Sequence, residues 1–137
     1  MILAVLLALG AVPTPAAPSA RSSGRSTCEV RADTLFGDRA VLLRADSTDA
    51  SLPAVSKRVA LELPDRWPAA CRGTVVMHDV LIDPRGQVRD VFTRRAPCRE
   101  FDRVARRSLR RWTFEPARRG NEPVAACVRV TTLFDRR

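Results

Sequence analysis

The sequence predicts an α+β fold: a three-stranded antiparallel sheet with one amphipathic helix packed on it. Three observations carry this. Residues 73–94 read as two β-branched runs around the turn Asp83-Pro84-Arg85-Gly86, residues 99–111 hold a helical apolar stripe, and residues 124–134 alternate cleanly. In front of them, an N-terminal extension of short strands and a short helix is expected.

In chain order, residues 1–20 (MILAVLLALGAVPTPAAPSA) read as a secretory signal peptide. Ile2–Val12 is an apolar run of h-region length, and the small residues and prolines behind it suit cleavage around Ala16–Ala20. A positive n-region is missing. A spanning helix needs about 20 apolar residues, and prolines at 13, 15 and 18 interrupt too early, so no transmembrane anchor is expected in the mature chain. Residues 21–62 then form a linker and extension. Within it, Glu29–Asp33 and Arg39–Arg44 read as short strands flanking a Gly37-Asp38 turn. Ala54–Leu63, with apolar residues at 55, 59 and 63, reads as a short helix ended by Pro64.

The remainder, 63–137, is the main domain. Gly73–Asp83 and Gln87–Arg94 make a hairpin, with Pro and Gly placed as a type I turn requires. Val75 and Met77 are out of phase with Val80 and Ile82, so a bulge near His78-Asp79 is expected. In Arg99–Arg111, Phe101, Val104, Ala105, Ser108, Leu109 and Trp112 share one stripe. Arg99, Arg103, Arg106, Arg107, Arg110 and Arg111 fall largely opposite. Trp112, Phe114 and Pro116 then alternate because the chain leaves the helix extended, and Gly120 is free to take a positive φ in the turn that follows. In the last strand Val124, Ala126, Val128, Val130, Thr132 and Phe134 share a face, with Cys127 and Arg129 on the other.

Four cysteines behind a signal peptide point to two disulfides in an oxidising compartment. No CxxC pair exists and His78 is the only histidine, so no metal site is expected. Cys71 and Cys98 are equidistant from the hairpin turn, which favours Cys71–Cys98 and leaves Cys28–Cys127. The formal charge is +9, with Lys57 the only lysine among 24 basic residues. Such a surface attracts polyanions, and for an exported protein nucleic acid is the disfavoured one.

No catalytic constellation survives inspection. His78 offers a general base, with Asp79 or Asp83 near in sequence and Ser108 or a threonine as nucleophile, but Asp79 points away from His78 in a regular strand. Glu62 and Asp65 are close only along the chain. GxSxG, HExxH and Gly-rich phosphate loops are absent from the sequence. No enzyme activity and no cofactor are expected.

Three stretches resemble the C-terminal domain of TonB, the periplasmic protein that links the inner membrane to outer-membrane transporters. They are LPDRWPAACRGTVV at 63–76, VLIDPRGQV at 80–88 and FDRVARRSLRRWTFEPARRGNEPV at 101–124. The last is similar to the family pattern through Phe101, Asp102, Val104, Ala105, Trp112, Phe114, Pro116, Ala117, Gly120, Pro123 and Val124. The resemblance implies a noncatalytic periplasmic binding module whose last strand is a sheet edge. That edge receives an extended segment of an outer-membrane transporter by strand addition. Carried over here, the docking edge is Val124, Ala126, Val128, Val130 and Thr132. The family's transducers carry an N-terminal membrane helix and a long Pro-rich spacer. Here the leader reads as cleavable and no such spacer is expected, so coupling to an inner-membrane motor is not expected. A Cys28–Cys127 bond that laid the front strand along that edge would block strand addition. The alternative expectation is adhesion to anionic cell-envelope polymers, peptidoglycan included, through Arg99, Arg103, Arg106, Arg107 and Arg110.

Overall fold

A computed structural model describes residues 24–41 and 50–134. Residues 1–20, read as a signal, and the far end of the strand expected at Arg39–Arg44 lie outside the described residues. The elements are α1 (Thr27–Phe36), β1 (Ala40–Val41), β2 (Ala50–Ser51), β3 (Ala54–Lys57), β4 (Thr74–Ile82) and β5 (Val88–Arg95). They continue with α2 (Arg99–Leu109), β6 (Thr113–Glu115), β7 (Ala117–Arg119) and β8 (Glu122–Phe134).

The hairpin, the helix and the last strand form as expected. β4 lies between β5 and β8, antiparallel to both, and α2 covers one face. The sheet is larger than three strands, however. β1 pairs in parallel with β8, β7 folds back on the start of β8, and β2 extends β7. A separate two-stranded sheet joins β3 to β6.

The turn at Asp83–Gly86 is closed by its own side chain. Asp83 Oδ1 accepts the backbone N–H groups of Arg85 and Gln87, each at 2.9 Å, and Gly86 N–H reaches Asp83 C=O at 2.9 Å. Gly86 has φ 86°, and its carbonyl accepts Phe114 N–H at 2.8 Å. A Cβ there would stand 1.8 Å from the Phe114 carbonyl oxygen, so no other residue fits without moving the strand.

Two interior clusters sit under α2. In one, Phe101 stacks on Phe134 with ring centroids 4.0 Å apart, and Trp67 meets Phe101 edge-on at 4.9 Å. The Cys71–Cys98 disulfide closes this cluster. In the other, Val80, Ile82, Val91, Leu109 and Phe114 are buried. The bulge expected near His78-Asp79 does not reset β4. The β4–β8 register runs unbroken from Thr74↔Phe134 to Ile82↔Ala126. The extra residue falls on β5 instead, where Met77 faces Arg95 and His78 faces Thr93. Val76, His78, Val80 and Ile82 therefore share the α2 side, and Val75 and Met77 are only half-buried.

The extension departs from the sequence reading in two places. Residues 27–36 form a helix, not a strand at Glu29–Asp33. Ser26 and Glu29 make a reciprocal capping box at 3.2 and 2.7 Å, which satisfies two helix-end donors. Cys28, Ala32 and Phe36 then fall at four-residue spacing, and they pack on Leu81, Phe92 and Cys127 on the sheet face opposite α2. The Cys28–Cys127 bond fastens α1 there. Second, Ala54–Lys57 is a strand rather than the start of a helix, because its backbone is taken by β6. No helix among the described residues is long and apolar enough to cross a membrane.

Candidate functional site: the last strand and its open edge

β8 is treated differently along its two halves. Its first half is enclosed: Ala117↔Val124, Arg118↔Pro123 and Arg119↔Glu122 pair with β7, and Ala40↔Ala125 and Val41↔Ala126 pair with β1. Val124 and Ala126, expected on the docking edge, are thus already paired on the side away from β4, and both are buried. Gly120, at φ 61°, makes the tight return between β7 and β8 possible. From Cys127 onward, no strand among the described residues pairs with β8 on that side. Val128, Val130 and Thr132 remain on an open edge.

A groove of about 490 Å³ runs beside that edge. β8 supplies Val128 to Leu133, the opposite wall is Pro53, Val55, Arg58 and Leu61, and Ser108, Leu109 and Trp112 of the helix end close the floor. Two hydrogen bonds hold the far wall in place. Ser108 Oγ donates to the Val59 carbonyl at 2.6 Å, and Trp112 Nε1–H donates to the same oxygen at 3.3 Å. Arg58 lies over the Trp112 ring, 5.5 Å from its centroid. Leu133 and Val55 stand exposed at the rim, at 60% and 37%. The groove therefore couples unpaired backbone groups with apolar walls, the combination that receives an extended chain.

The front segment does cover part of the edge, as a Cys28–Cys127 bond would have it. Among the described residues it does so at Ala125 and Ala126, through β1, while α1 goes to a sheet face. The wall at 53–61 has no signature in the sequence, since its position is set by contacts with α2 and β6.

The polar residues singled out as a catalytic possibility are scattered. His78 is fully buried and its Nε2 lies 2.7 Å from Asp102 Oδ1, on α2. Thr93 Oγ1 donates to the same carboxylate oxygen at 2.8 Å. Asp79 is on the other face, where it pairs with Arg129 at 3.1 Å and Arg94 at 3.5 Å. Asp83 is spent on its turn, and Ser108 on Val59. Glu62 is exposed beside Arg107 and Arg111, and Asp65 shares a surface pocket with Arg66, Trp67 and Arg72. Asp102 enters the sequence analysis only through the family pattern, yet its spacing to Ala105 and Leu109 places it at the border of the buried stripe. Cys71, Cys98 and Glu100 cluster within metal-binding distance, but both sulfurs are bonded to each other.

The arginines form a separate surface. Arg99, Arg103, Arg106, Arg107, Arg110 and Arg111 line an open depression of about 750 Å³ on the outer side of α2.

The sequence model of the Gram-negative bacterial TonB protein C-terminal domain matches residues 61–135. The chain belongs to this family. The match covers more than half of the 137 residues and takes in α2, the β4–β5 hairpin and all of β8. It begins at Leu61, so α1 and β1 to β3 precede the TonB-type region, among them β1, which covers Ala125 and Ala126, and β3, which contributes to the groove wall. Comparison with curated proteins returns no match.

Proposed function

We propose that this TonB-family domain is a noncatalytic periplasmic module that captures an extended peptide on β8, between Cys127 and Leu133. The partner is an extended segment of an outer-membrane transporter. One observation carries the reading: among the described residues, β8 from Cys127 to Leu133 has no strand partner on the side away from β4, and that side opens into the apolar groove walled by residues 53–61. Backbone pairing would give affinity, and the alternate side chains of the incoming strand would meet Val130, Trp112 and Val55 on one side and Leu133 at the rim. The two disulfides favour an oxidising compartment such as the periplasm. The noncatalytic reading rests on the burial of His78 and the commitment of Asp79, Asp83 and Ser108 to other contacts.

Titration of labelled plug-proximal transporter peptides against the oxidised protein tests this. Saturable binding that disappears when alternate peptide nitrogens are methylated supports backbone pairing, because methylation removes the donors and leaves the side chains. Binding indifferent to methylation, or no binding with any such peptide, would reject strand addition.

A further inference from the structure

A different surface carries a second contact. Arg99, Arg103, Arg106 and Arg110 follow one line along α2, spanning about 16 Å at helical rise, with Arg107 and Arg111 beside them. The acidic groups nearby do little to offset them. Asp102, the one acid lining the depression, turns its Oδ1 inward to His78 and Thr93. Glu62 is shared between Arg107 at 3.8 Å and Arg111 at 3.7 Å. Arg106 also donates to Thr93 at 3.2 Å. Among the described residues, Arg99, Arg103 and Arg110 make no ion pair.

Arg106, Arg107 and Arg110 at the C-terminal end suit the helix dipole, but the row as a whole is not what the helix needs. Like charges three and four residues apart repel, and Arg99 stands at the positive end of the helix dipole. Guanidinium groups match phosphate oxygens bidentately, more closely than an ammonium does. We infer that this face is a docking surface for phosphate-bearing lipid headgroups at an anionic membrane surface. The lining consists of arginines and one aspartate, with no apolar side chain to insert and no aromatic ring on which a base could stack. A purely electrostatic, reversible contact with a charged plane fits that lining better than a nucleic-acid groove does. The row lies on the outer side of α2, away from the sheet, so the β8 groove would stay open while the helix face is held at a surface. This contact is independent of the peptide reading.

The test is co-sedimentation of the oxidised protein with vesicles, either of phosphatidylcholine alone or of phosphatidylcholine mixed with phosphatidylglycerol. Binding should require the anionic lipid and fall as salt rises. Each arginine near the surface is worth roughly fivefold in partitioning. The fourfold variant Arg99→Gln, Arg103→Gln, Arg107→Gln, Arg110→Gln should therefore lose on the order of several hundredfold. A charge-matched control, Arg31→Gln, Arg66→Gln, Arg72→Gln, Arg89→Gln, should lose far less. All eight positions are exposed, and unchanged circular dichroism confirms that both variants fold. Equal losses in the two variants, equal binding to neutral vesicles, or no vesicle binding would overturn the proposal. So would tighter, face-dependent binding to a single-stranded oligonucleotide at the same salt.

Discussion

The two halves of β8 belong to one strand, paired with β4 from Ala126 to Phe134, yet they face different neighbours on the side away from β4. From Glu122 to Ala126 the strand is enclosed by β7 and β1, and Val124, Ala125 and Ala126 are buried. From Cys127 onward the same side opens to a groove, with Arg129, Thr131 and Leu133 exposed. A fully exposed edge invites indiscriminate pairing, and a fully covered one admits no partner. Among the described residues the cover stops at the residue before the disulfide. The Cys28–Cys127 bond sits at the border, holding α1 on the sheet face.

Substitutions that act on one half and spare the other can break this division. The largest effect is expected from Phe101→Ala, which removes the ring stacked on Phe134 at the far end of the open half. It should cost about 3–5 kcal/mol in denaturant unfolding, and a loss below about 1 kcal/mol would remove that stack as the anchor. Next, replacing Cys28 and Cys127 together by Ser should cost about 2–5 kcal/mol. Its effect on amide exchange should concentrate at Ala125 and Ala126, while peptide affinity in the open half is kept. Loss of peptide binding would mean that the staple shapes the groove as well as the cover.

Asp102→Asn acts beneath the open half, since His78 pairs with Val130 across β4 and β8. The substitution keeps the shape but weakens the contact to a fully buried imidazole, whose Nδ1 has no partner of its own. A loss of about 1–3 kcal/mol is expected, and an unchanged midpoint would show that the latch carries no stability. Trp112→Phe should be mildest, at about 1 kcal/mol for the lost Nε1–H bonds to Val59 and Ser108. Its signature is weaker peptide affinity through a loosened groove wall, and unaltered affinity would detach Val59 from the site.

The open half was more legible in the sequence than the covered one. The alternation from Val124 to Phe134, the stripe on α2 and the Asp83-Pro84-Arg85-Gly86 turn are local patterns, and each became the element it indicated. The symmetry of Cys71 and Cys98 about that turn gave the hairpin bridge, which left the other pair. α1 differs from the expected strand because Glu29–Asp33 alternates over too few residues to outweigh the Ser26–Glu29 cap and the Cys28, Ala32, Phe36 spacing. With Val30 half exposed, the apparent strand face has nothing to bury. β3 is a strand only because β6 supplies its partner, a contact no local spacing encodes. The same holds for Val59, whose carbonyl serves two side chains from the helix end.

Amide hydrogen exchange along β8 is the most direct test of the division. The account predicts slow exchange throughout Val124–Ala126 in the free protein. It predicts fast exchange at alternate amides between Cys127 and Leu133, becoming slow when a transporter peptide is added. Uniform protection of both halves in the free protein, or fast exchange in the open half that the peptide leaves unchanged, would contradict it.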